Sequence, residues 1–107
     1  MKAIALVLLV AASPAPDPVE IYKAHSFVWD FQSTFVEQDE KYHEYCKLAD
    51  EYDSIEVNIR RTVRDRHIYD GHEKKDYKFT ADEAKRLEDF ADDIAFKKRS
   101  AERRCKR

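Results

Sequence analysis

Apolar and aromatic side chains recur along this chain at the spacing of a helix seam. Counted from Ile21, the a/d positions are Ile21, Ala24, Val28, Phe31, Phe35, Gln38, Tyr42, Tyr45, Ala49, Tyr52, Glu56, Ile59, Val63 and Arg66. Eleven of these fourteen are apolar or aromatic, against 11 of the other 37 positions between Val19 and Tyr69. A contrast of that size at a 3.5-residue period predicts helix. Phe27, Leu48 and Ile55 flank the seam and widen it. Asp17 followed by Pro18 reads as an N-cap and an N1 proline, which places one helix, or two, over residues 18–69. A strand pattern shows only in short stretches such as residues 56–59.

Asp70-Gly71 is expected to end this helical stretch, with residues 70–80 as the turn. Thr80-Ala81-Asp82-Glu83 has the form of a capping box and opens a second helix over residues 81–105. Its seam is Ala84, Leu87, Ala91, Ile94, Lys98, Ala101 and Cys105, with Phe90 and Ala95 beside it. Three of those seven are alanine. Such a face allows close approach but buries little area, so this helix needs a partner.

An antiparallel hairpin centred near residue 75 or 76 pairs residues whose numbers sum to about 151. Cys46 and Cys105 then meet. Charge agrees with that register: residues 57–69 carry +3 and face residues 82–94 at −4, while residues 44–56 carry −4 and face residues 95–107 at +6. A Cys46–Cys105 disulfide across the open end of the hairpin is therefore expected, with an intermolecular bridge or two free thiols as its rivals.

Composition narrows the class. A chain of 107 residues makes one small domain, and a single glycine excludes Gly-rich phosphate loops and dinucleotide-binding fingerprints. Met1-Lys2, the apolar run Ala3 to Ala12 and small residues before Ser13 read as a signal peptide over residues 1–12, cut after Ala12. As a helix that run rises about 15–18 Å, too short for a hydrocarbon core of about 30 Å. Residues 13–18, with Pro14, Pro16 and Pro18, form a linker, and residues 19–107 a single helical domain. Without the leader, Ile, Leu, Val and Phe number 18 of 95 residues, a thin core for which a disulfide matters.

Pairing residues 46–69 with 82–105 leaves residues 18–45 uncovered, although this arm holds the largest apolar side chains. Either the helix breaks near Ser33-Thr34 and folds back as the third helix of a bundle, or it stays straight and docks on a second copy or a partner protein. Tyr22, Phe27, Trp29, Phe31 and Phe35 are the candidate partner-binding residues. The expected fold is thus all-α: an antiparallel, coiled-coil-like hairpin with an N-terminal helical arm, or a three-helix bundle if the arm returns.

Catalytic chemistry is hard to place. His43, Cys46, Glu40 and Glu44 cluster on one helix, and His67, Asp70, His72 and Glu73 cluster at the turn, but neither has a two-histidine helical spacing. No metal, cofactor or catalytic residue is assigned, although metal binding stands as an alternative function. Carboxylate pairs such as Asp92-Asp93 and Asp39-Glu40 read as solvated helix faces. Residues 97–107 carry seven positive charges and one negative, which suits peripheral contact with anionic lipid or the acidic block at 44–56. Export argues against nucleic acid. The expected function is non-enzymatic protein binding, secreted or periplasmic, through the aromatic arm; the alternative is a membrane-associated envelope or phage-type lysis factor that keeps its leader.

Overall fold

The computed structural model describes residues 16–106. The leader, its cut after Ala12 and residues 13–15 of the linker lie outside them. Helix α1 runs over Pro18–His25, α2 over Phe27–Lys41 and α3 over Tyr45–Asp65. Strands β1 (His67–Asp70) and β2 (Lys75–Lys78) follow, and α4 spans Ala81–Arg104.

Two helix starts form as their residues dictate. Asp17 accepts the Val19 N–H at 2.9 Å ahead of Pro18. Thr80 Oγ1 accepts the Glu83 N–H at 3.2 Å while Glu83 accepts the Thr80 N–H at 2.9 Å, a complete capping box.

The long helix expected over 18–69 is instead broken twice, at neither Ser33 nor Thr34. Ser26 takes an extended conformation and closes α1 through its N–H to the Tyr22 carbonyl, while its hydroxyl accepts the Trp29 N–H at 3.2 Å to open α2. Serine competes well for backbone groups at such points. The second break, Tyr42 to Glu44, turns the chain back with His43 left-handed at φ 58°. The arm therefore folds back onto the hairpin, as a bundle.

The helix also stops before Asp70-Gly71. Arg66 adopts φ 56° and donates its N–H to the Thr62 carbonyl at 2.8 Å, ending α3 four residues earlier. Where an all-helical fold was expected, an antiparallel β-hairpin follows, in the register His67↔Lys78 to Asp70↔Lys75. Ile68 faces Tyr77 across it, and the Phe79 N–H donates to the Arg66 carbonyl. Gly71 is at the turn, but its φ is not positive and nothing lies within 4 Å of an added Cβ. Among the described residues, the left-handed positions belong to His43, Arg66 and Lys74.

The core lies between α3 and α4. Leu48, Tyr52, Ile55 and Ile59 pack against Leu87, Ala91, Ile94 and Ala101, with Tyr22 from α1 and Phe79 from the loop closing one end. Two charged members of the seams meet each other: Lys98 Nζ donates to Glu56 at 2.9 Å and to Asp53 at 3.2 Å. Arg60 ties Glu56 to Asp92, at 2.7 and 3.1 Å. Burial works against the Glu56 charge, yet the hydrogen bonds from Lys98 and Arg60 outweigh it and hold this carboxyl below the usual range. The same register brings Cys46 and Cys105 to disulfide distance, with Cα atoms 4.7 Å apart.

Closing a loop between cysteines 59 residues apart contributes on the order of 3–4 kcal/mol in the chain-entropy view. Urea denaturation with and without reductant should show a loss of about that size, reproduced by the Cys46→Ser/Cys105→Ser double variant. The contact of α2 with α3 yields a second expectation. Burial, and then the Asp39 carboxyl beside it, push the half-buried Glu51 carboxyl up to about 8. Its folded pKa thus exceeds its unfolded value of about 4.3, so Glu51 costs stability progressively as pH rises from about 4 to 8. Glu51→Gln should melt higher than the parent at pH 7, the difference vanishing near pH 4.

Candidate functional site

The five aromatic residues assigned to partner binding divide into two groups. Tyr22 is fully buried and is corrected to a core residue: its hydroxyl donates to Asn58 Oδ1 at 2.6 Å, and burial pushes its pKa up to about 12. Trp29 is half-buried against Phe90, ring centroids 5.7 Å apart, with Lys23 Nζ 5.1 Å from its ring. Neither stands free. Phe27, Phe31 and Phe35 do, at 76%, 58% and 46% exposure.

These three rings form a ladder along α2. Their positions, four residues apart, share one helix face, and centroid distances of 6.0 Å from Phe27 to Phe31 and 5.5 Å from Phe31 to Phe35 put each ring on the next. The seam read from sequence placed Phe31 and Phe35 inward. The inward stripe is actually Val28, Gln32, Val36 and Asp39, one residue further round the helix. No residue of α2 is fully buried, and two side-chain atoms where it meets α3, Gln32 Oε1 and Glu51 Oε2, are buried without a hydrogen-bond partner. This helix thus shows its most apolar side chains to solvent.

Asn58 on α3 holds the arm in this orientation. Its Oδ1 accepts from Tyr22 on α1 and, at 3.3 Å, from Ser26 at the α1–α2 junction. Beside the ladder lies a shallow groove of 380 Å³, lined along α3 by Asp53, Ser54, Val57, Asn58 and Arg61. Arg61 adjoins the Phe27 end. Asp53 lies further along the same wall, toward the N-terminus of α3, and accepts from Lys98 Nζ at 3.2 Å.

At the other side of Phe27, α1 meets the β-hairpin. His25 Nδ1 lies 2.6 Å from Asp70 Oδ2 and 3.9 Å from Glu73 Oε2. Asp70 Oδ1 accepts the N–H groups of His72 and Glu73 at 2.8 and 3.2 Å. The His25 hydrogen bond, helped by those two, holds the Asp70 carboxyl below the usual range. This contact joins residues 45 positions apart, and a search confined to neighbours in sequence assigned Asp70 to His67 and His72 instead. His67 in fact pairs with Asp76 at 2.9 Å. His43 approaches the Tyr45 hydroxyl, and Cys46 faces Cys105 rather than a metal.

The basic C-terminal segment is partly committed to the protein itself, through Lys98 and through Arg104, whose guanidinium lies 5.4 Å from the Tyr45 ring. Among the described residues, no helix is long and apolar enough to cross a membrane. No family model matches the chain, nor does any curated protein or solved structure, so geometry alone carries the functional argument.

Tyr22→Phe should lower stability by about 1–2 kcal/mol, the worth of a buried hydrogen bond whose acceptor keeps a second donor in Ser26. Thermal unfolding checks it.

Proposed function

We propose that this protein is an exported, non-enzymatic binding module that works through the Phe27–Phe31–Phe35 ladder of α2, and that the ladder takes the same helix of a second copy. The observation that carries this reading is the rotation of α2, which leaves Phe27, Phe31 and Phe35 exposed in ring-to-ring contact while Gln32 and Asp39 are half-buried. Exposing such rings loses the burial worth about 1.5–3 kcal/mol for each, and a contiguous apolar face of this kind marks an interaction surface. The ladder extends about 12 Å along the helix, the length of two turns of an apposed helix.

Charge selects the occupant. The α3 wall of the groove carries both Arg61 and Asp53, and Asp53 also receives Lys98 Nζ at 3.2 Å. An antiparallel second copy centred on Phe31 sets Phe27 against Phe35 and Arg61 against Asp53 on both sides of a two-fold axis, the self-complementary arrangement of a C2 dimer. Export is supported by the cysteine pair at disulfide distance, which persists in an oxidising compartment. The membrane-associated alternative draws less support, since Lys98 and Arg104 of the basic tail are turned onto Glu56, Asp53 and Tyr45.

Sedimentation velocity of the mature chain should show a reversible dimer. Phe31→Asp should weaken it at least about 30-fold, as for a central aromatic anchor, with an unchanged melting temperature because Phe31 is exposed. Arg61→Glu should weaken it less and reduce its salt dependence. A monomer persisting to about 1 mM, where association worth only about 4 kcal/mol is visible, or a dimer indifferent to Phe31→Asp, overturns the proposal.

A further inference from the structure

We infer that His25, Asp70 and Glu73 form a binding site for a divalent transition-metal ion, with Zn²⁺ the best match. The three residues come from two distant parts of the chain, the end of α1 and the turn between β1 and β2, yet their donor atoms all lie within 4.8 Å of one another. A tetrahedral zinc ion with ligands at about 2.0–2.2 Å holds those ligands about 3.3 Å apart. The distances from His25 Nδ1 to the two carboxylates, 2.6 Å and 3.9 Å, bracket that spacing. Seating the ion therefore opens the His25–Asp70 hydrogen bond and draws together carboxylates that already lie within 4.8 Å of each other.

The surroundings orient the donors as an outer ligand shell does. Asp70, with a side chain only 10% exposed, has Oδ1 occupied by two backbone N–H groups, which leaves Oδ2 facing His25. Tyr77 acts on the other two residues together: its ring stacks on His25 at 4.0 Å and 21°, and its hydroxyl donates to Glu73 Oε2 at 2.5 Å. The donors open onto a cleft of 540 Å³ bordered by Phe27, Asp30 and His72, so the fourth coordination position faces solvent. One imidazole and two carboxylates make a borderline-hard set. It lacks the sulfur that favours Cu(I) and the six to eight oxygens that Ca²⁺ prefers, whereas Zn²⁺ accepts one imidazole and two carboxylates readily.

Such an ion ties the β-hairpin to the arm, and, binding the folded state alone, it raises the melting temperature. The inference is independent of the proposed dimer, because Phe31 touches none of the three ligands' donor atoms and the two sites are disabled by different substitutions.

Calorimetric titration of the full mature chain with ZnCl₂, after treatment with chelator and its removal, should show one ion per chain and a melting temperature higher by about 4 °C or more at saturation. Glu73→Gln keeps the Tyr77 hydrogen bond and removes the charge; it should weaken binding about 10-fold or more. His25→Phe keeps the stack on Tyr77 and should abolish binding, the fold of both variants being checked by circular dichroism. His67→Ala should bind as the parent does. Absence of binding below about 100 µM, binding indifferent to Glu73→Gln and His25→Phe in folded protein, or binding lost in His67→Ala, each overturns the inference.

Discussion

The antiparallel pairing of α3 with α4 is the contact on which every other part of this protein depends. An alanine-rich helix such as α4 buries too little area to stand alone, and its register against α3 is set by something more selective than apolar contact. Glu56 and Lys98 occupy seam positions where hydrophobic residues are the rule, and each satisfies the other. A shift of one turn would break the Lys98–Glu56 contact and leave Glu56 with Arg60 alone, so polar groups in the seam favour one alignment at some cost in burial. That alignment brings Cys46 to Cys105 at the open end and carries Phe79 into the core at the closed end.

The arm is a second layer added to this frame through a few polar contacts. Asn58 receives Tyr22 and Ser26, which fixes where α1 stops and how α2 is rotated about its axis. Once that rotation is set, Phe27, Phe31 and Phe35 have no inward position left to them, because Val28, Gln32 and Val36 already face α3. The exposed ladder thus results from hydrogen bonding at its own N-terminus. The cleft at His25 comes from the same junction: His25 ends α1 one residue before Ser26, and there it meets the tip of the β-hairpin.

The β-hairpin shows why local patterns misled. His67–Asp70 and Lys75–Lys78 are four residues each and largely polar, too short for alternation to stand out against the long helical period before them. A signal was nonetheless present, since the β-prone residues Ile68 and Tyr69, and Tyr77 and Phe79, stand on either side of the turn former Asp70-Gly71. Glycine was also a poor guide to where the helix stops. The chain uses Arg66 in the left-handed conformation, five residues ahead of the sequence's single glycine. What distinguishes Arg66 is the hairpin beyond it, a tertiary demand that no residue preference records.

Sequence by itself determined the features that rest on repeated or paired local choices. The α3 and α4 seams, the Asp17 and Thr80 caps, the summed register near 151 and the meeting of Cys46 with Cys105 all follow from spacing and charge, because each is specified many times over along the chain. Only the tertiary structure decided the rotation of α2, the breaks at Ser26 and His43, and the convergence of His25 with Asp70 and Glu73. The rotation of α2 and the placing of His25 depend on single hydrogen bonds between residues more than thirty positions apart, Ser26 with Asn58 and His25 with Asp70. A contact of that kind leaves no period to be read, and a one-residue rotation of a helix is enough to turn a predicted core stripe into an exposed face.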